Sequence, residues 1–153
     1  MHEETIAALE ERIGYAFRNR RLPARALTRL AYAQEQGMPP GEAMDALATL
    51  GDAVISLVVI EALLREGGHD KGVITTAKVD AVNMTRLRRA AEDLHLEAAV
   101  AWGRGERIQH IWTSGRVLAE CLEALVGALY LDGGIAAAAA LLERLDLAAT
   151  KTK

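Results

Sequence analysis

The sequence predicts an all-α fold, on three observations. Apolar residues make up 51% of the 153-residue chain but aromatic residues only 4%, so the core must be aliphatic. Between the Gly and Pro breaks, apolar residues recur at helical spacing. No convincing strand run, internal repeat or low-complexity linker interrupts that pattern.

The elements follow in order. Thr5 to Gly14 carries Ile6, Leu9 and Ile13 on one helical stripe. Pro23 to Tyr32 is a second helix, with Pro in its first turn where a missing N–H costs least. Gln36-Gly37-Met38-Pro39-Pro40-Gly41 is a loop. Glu42 to Arg65 is a long helix ended by Gly67-Gly68. Lys71 to Val82 and Met84 to Leu94 form two more, and Glu97 to Trp102 is a short element before Gly103-Arg-Gly105. Ser114 to Leu131 is a second long apolar helix, stopped at Asp132-Gly133-Gly134. Ile135 to Leu147 closes a single domain over residues 1–148, and residues 149–153 are expected to fray.

Composition excludes several classes. A net charge of −3 with high apolar content rules out a disordered tail or a histone-like binder. The single cysteine, Cys121, excludes an internal disulfide. The start, Met1-His-Glu-Glu, lacks a signal peptide's basic and apolar regions. The apolar run Ala53 to Leu64 is interrupted by Ser56 and Glu61 and is too short to span a bilayer, so the expectation is a cytoplasmic protein without membrane contact. The charge is uneven. Residues 36–70 carry −5 and residues 119–153 carry −2, whereas residues 71–118 between them carry +3.

The acids fall on the two most apolar helices. Asp52 sits mid-helix among Leu50, Ala53, Val54 and Ile55, where a buried carboxylate needs an arginine, a metal or a wet cleft. Asp45, seven residues earlier, shares its face, or is simply an acid favoured at a helix start. Gly51 implies the close approach of another backbone. On the second helix Glu120 and Glu123 stand at i and i+3, either as a solvated stripe or as like charges that a cation would relieve. Brought together, Asp52, Glu120 and Glu123 form a site for a hard cation, Mg²⁺ or Mn²⁺, of the kind used in phosphoryl transfer.

These runs carry a resemblance. Leu50-Gly51-Asp52-Ala53 and Leu118-Ala-Glu120-Cys-Leu-Glu123-Ala-Leu-Val-Gly127-Ala-Leu-Tyr130-Leu-Asp132-Gly-Gly134 resemble the two catalytic helices of the ribonuclease III family. Leu9 to Phe17, Ala26-Leu-Thr28, Val82-Asn83 and Gly103-Arg-Gly105-Glu106 resemble flanking segments, so the likeness spans roughly residues 6–145. It implies a helical, homodimeric endoribonuclease domain that hydrolyses double-stranded RNA to 5′-phosphate and 3′-hydroxyl ends, with structured precursors such as those of rRNA as the substrate class. It implies a metal site of Asp52, Glu120 and Glu123, with Asp45 as a fourth catalytic carboxylate and Mg²⁺ (or Mn²⁺) as cofactor. RNA would be read by shape and phosphate contacts, with Arg86, Arg89, Arg104 and Arg107 as candidates.

The departures are specific. Ala48 replaces a family Glu, as it does in mini-ribonuclease III enzymes. Glu120 replaces Asp, Lys71 stands where a further Glu is usual beside Asp70, Thr28-Arg29 replaces Thr-His, and Thr49 replaces an aromatic that packs on the partner subunit. Gln109 to Gly115 differs from the family's Gly-rich basic run. About twenty residues follow Asp132, so no double-stranded RNA-binding domain is expected. The competing expectation is a catalytically reduced fold acting as an RNA-binding or ribosome-associated protein.

Overall fold

A computed structural model describes residues 3–67 and 70–148. Among these every regular element is helical, and the only strand-like feature is one isolated parallel bridge, Thr28 to Ala101. The tail expected from residue 149 onward lies outside the described residues.

The first helix, α1 (Glu3–Ile13), opens on Glu3 and Glu4 and closes on Arg12, matching the helix dipole. Gly14 ends it at φ 72°, and Ile6, Leu9 and Ile13 are buried as their spacing requires. The helix expected over 23–32 is instead two, α2 (Arg21–Ala26) and α3 (Leu30–Glu35). Tertiary hydrogen bonds break it at Leu27–Arg29. The Leu27 carbonyl accepts from Ala101 N at 2.7 Å, Arg29 N donates to the Ala101 carbonyl at 3.2 Å, and the Thr28 carbonyl accepts from Met44 N at 2.9 Å.

Residues 40–42 form a 3₁₀ turn and Ala43 is extended, so the long helix α4 (Asp45–Arg65) begins three residues later than expected. In α5 (Lys71–Ala81), Asp70 caps the start by accepting from Gly72 N and Val73 N. Asn83 does the same for α6 (Met84–Asp93) through Arg86 N. Two short helices follow, α7 (Leu96–Ala99) and α8 (Arg104–Ile108), then a 3₁₀ turn at Ile111–Thr113.

The last helix, α9 (Gly115–Arg144), runs through the expected stop as a kink. Gly134, at φ 80°, bends the chain without opening a loop. Asp132 pins the bend, accepting from the Tyr15 hydroxyl at 2.8 Å, Arg18 N at 2.9 Å and Asn19 N at 2.9 Å.

The core is built on α4 against α9, with α6 and α2 packed on α9. It is aliphatic as composition required, with Leu122, Leu125, Leu129 and Leu142 fully enclosed and Phe17 and Trp102 its buried aromatics. By length and composition α4 and α9 are each apolar enough to cross a membrane, contrary to the short-run expectation. Here they bury their apolar faces on one another. They touch backbone to backbone. A Cβ on Gly51 would lie 1.7 Å from the Glu123 carbonyl oxygen, and one on Gly127 would lie 2.2 Å from the Leu47 carbonyl oxygen. The close approach expected at Gly51 is therefore the crossing point of the two central helices.

Candidate functional site

That crossing point sets the site. With Gly51 against residue 123, the next side chain on α4, Asp52, must stand beside Glu123. A cleft of about 580 Å³ opens there. Its walls are Asp45, Ala48, Thr49 and Asp52 from α4, and Arg116, Ala119, Glu120 and Glu123 from α9. Each set is spaced i, i+3, i+4, i+7, one face of one helix. Val82, Met84 and Leu87 from the α5–α6 turn and α6 form the third wall.

All four carboxylates named from the sequence thus line one cleft. Their environments differ. Asp45 and Asp52 are exposed, so the burial expected of Asp52 does not occur; Val54 and Ile55 pack inward while it faces the opening. Glu123 is half-buried. Its carboxyl is pushed up to about 8 by burial, by a hydrogen bond with Asp52, and by the charges of Asp52 and Glu120.

Glu120 has a different neighbour. Its Oε1 accepts from Arg29 Nη1 at 3.2 Å. The same guanidinium grips Glu106, with Nη2 to Oε2 at 2.8 Å and Nε to Oε2 at 3.1 Å. It also lies 5.6 Å from the ring centre of Trp102. Glu106 is held in turn by Gly103 N at 3.0 Å. Burial favours a protonated Glu106, but Arg29 and the Gly103 N–H outweigh it and keep the carboxylate below its usual range. Arg29 is likewise disfavoured by burial and held charged by its acidic partners.

The donor set in the cleft is all oxygen, which suits a hard cation. Among the described residues no three His, Cys, Asp or Glu side chains stand close enough to hold a metal ion together. The paired carboxylates are Asp52 and Glu123. Two carboxylates match Mg²⁺, which keeps several waters and binds through one or two carboxylates plus substrate phosphate.

The four arginines singled out from the sequence are not one surface. Arg86 and Arg89 are exposed on α6 beside Leu145–Leu147, and Arg86 Nη2 donates to the Asp146 carbonyl at 2.7 Å. Arg104 and Arg107 are exposed on α8. The arginine that lines the carboxylate cleft is Arg116. It and the Arg29–Glu106–Trp102 support were missed as site residues. Arg29 showed in the sequence only as a basic residue in an unusual place after Thr28, and nothing local paired it with Glu106 or Glu120, 77 and 91 positions away.

Comparison with known proteins agrees with this geometry. A family model described as ribonuclease-III-like matches residues 19–148. Ribonuclease 3 of Bdellovibrio bacteriovorus is 37% identical over 135 residues, covering 88% of this chain and 57% of that protein. Ribonuclease 3 of Pelotomaculum thermopropionicum is 34% identical over 140 residues, covering 91% and 58%. The chain therefore spans less than two thirds of the length of these relatives. A structure of the ribonuclease III nuclease domain from Campylobacter jejuni, described for flexibility in a region involved in its dimer formation, superposes with a TM-score of 0.82. It is 27% identical, and the match covers 92% of this chain and 94% of that one. By its sequence, its helical architecture and the cleft at the α4–α9 crossing, the chain belongs to the ribonuclease-III-like family.

Proposed function

We propose that the protein is a metal-dependent endoribonuclease that hydrolyses double-stranded or structured precursor RNA, such as rRNA precursors, to 5′-phosphate and 3′-hydroxyl ends. The observation that carries this reading is the pairing of Asp52 with Glu123 in an open cleft that also receives Asp45, Glu120 and Arg116. Asp52 and Glu123 would hold Mg²⁺, with Mn²⁺ as a substitute, and Glu120 would offer the oxygen that Arg29 leaves. When bound, such an ion activates water and neutralises charge on a phosphate under attack.

The chain's own residues do the rest. Gly51 and Gly127 fix the helix spacing that sets the two carboxylates side by side. Glu123, half-buried against Asp52, would hold the cation in its ionised form. Asp45, exposed in the cleft wall, can accept a hydrogen bond from water, and Arg116 can meet the incoming phosphate backbone. Arg104 and Arg107 on α8, and Arg86 and Arg89 on α6, remain candidate phosphate contacts.

A second copy of the chain would complete the RNA-binding valley. Leu57 and Leu64 on α4, with Val73 and Val79 on α5, are more than half exposed, a large apolar display that a homodimer would cover.

The test is cleavage of an end-labelled RNA duplex with Mg²⁺ or Mn²⁺. Wild type should cut it internally and leave 5′-phosphates, and Asp52→Asn and Glu123→Gln should abolish the cut. Duplex bound but never cut by wild type would favour the catalytically reduced, RNA-binding alternative, for which Ala48 and Lys71 speak.

A further inference from the structure

Arg29 is held more firmly than packing alone requires. Its side chain keeps 14% of its exposure, and ordering and desolvating an arginine is costly. Three restraints fix it: the bidentate grip of Glu106, the Trp102 ring and Glu120. Glu106 is itself locked by the Gly103 N–H, and Gly103 packs so closely on α3 that a Cβ there would meet the Ala31 Cβ at 2.6 Å. Trp102 is braced by Trp112 at 5.4 Å and by its indole N–H, which donates to the Glu97 carbonyl at 2.9 Å. The guanidinium is therefore a positive charge at a fixed point, 3.2 Å from a carboxylate of the cleft.

The consequence is a count of oxygens. Sites with two metal ions about 3.5–4 Å apart hold both through shared oxygen ligands. In this cleft Ala48, one helical turn before Asp52, offers none. Glu120 has one of its two oxygens committed to Arg29. Asp45 stands two turns before Asp52 on α4, and among the described residues no third acid joins Asp52 and Glu123 closely enough to share an ion, so these two are left as the facing pair, enough for one ion with its waters.

We propose that Arg29 is a positioning residue that orients Glu120 and supplies the fixed positive charge a second cation would otherwise bring, so that each chain binds one divalent ion. This rests on the metal-dependent reading above and specifies it.

Manganese binding to the full chain without RNA, counted by electron paramagnetic resonance of the unbound ion and by calorimetry, tests it independently of activity. Wild type should bind one Mn²⁺ per chain. Arg29→Gln combined with Glu106→Gln removes the positive charge together with its more buried partner and frees both oxygens of Glu120, and should bind a second ion or hold the first about tenfold more tightly. Arg29→Lys keeps the charge and should stay at one ion near wild-type affinity, which serves if the double variant fails to fold. Two ions bound per wild-type chain would overturn the inference and leave the nuclease reading standing. So would a folded double variant that matches wild type in count and affinity, or Arg29→Lys acquiring a second ion. No manganese bound and no duplex cut by wild type would overturn both.

Discussion

Glu123 is the residue on which the chemistry turns, and its environment makes a prediction about pH. Its carboxyl takes a proton in the fold up to about pH 8, against 4.5 for an ordinary glutamate. Between those values Glu123 holds more proton in the metal-free fold than in the unfolded chain, so its contribution to stability falls as pH rises. The melting temperature of wild type minus that of Glu123→Gln should therefore fall from pH 5 to pH 8. Saturating Mg²⁺ should flatten that trend for wild type. Asp132 is a contrasting case. It matches the family motif as Asp52 does, yet its three hydrogen bonds go to Tyr15, Arg18 and Asn19, far from the cleft cavity. Asp132→Ala should lower stability by about 1–3 kcal/mol in chemical denaturation while leaving Mn²⁺ affinity intact. Sequence spacing alone does not separate these two roles. The face-sharing of Asp45 with Asp52, and of Glu120 with Glu123, was legible because helical periodicity is local. The capture of Glu120 by Arg29 was not, because it depends on how α3 and α8 fold over α9.

Among the helices, one crossing sets the geometry of the site. Gly51 and Gly127 let α4 and α9 meet backbone to backbone, and any side chain at either place forces them apart. Gly51→Ala should cost about 1–3 kcal/mol, or more, as an overpacked core, and should weaken Mn²⁺ binding because Asp52 and Glu123 separate. Denaturation and metal titration of the same variant check both effects. Most helices were readable from apolar spacing and from the Gly and Pro breaks between them, whereas the capping roles of Asn83 before α6 and Gly14 after α1 emerge from the structure. The misreadings share a cause. Residues 27–29 leave the helix because Ala101 and Met44 compete for their backbone groups, and residues 132–134 stay within one bent helix because Asp132 ties the bend to the loop after α1. In both places partners distant in sequence override local preference.

At the scale of the molecule, two surfaces define behaviour. One is the acidic cleft, lying between helices from the two most acidic segments of the chain. The other is the apolar display on α4 and α5. Leu57→Glu with Leu64→Glu should convert a dimer to a monomer in sedimentation velocity while the helical content is kept; a wild-type monomer at micromolar concentration would refute that assignment. The uneven charge was visible in the sequence. Its concentration in one cleft follows from helix packing, and so does the placement of Arg116 there in preference to the four arginines first considered.

The most direct measurement is the anomalous scattering of a crystal soaked in Mn²⁺. One peak per chain is expected, in the cleft beside the carboxylates of Asp52 and Glu123, and lost in Glu123→Gln. A peak elsewhere on the chain, or none in the cleft of a crystal that binds Mn²⁺ at other places, would contradict it.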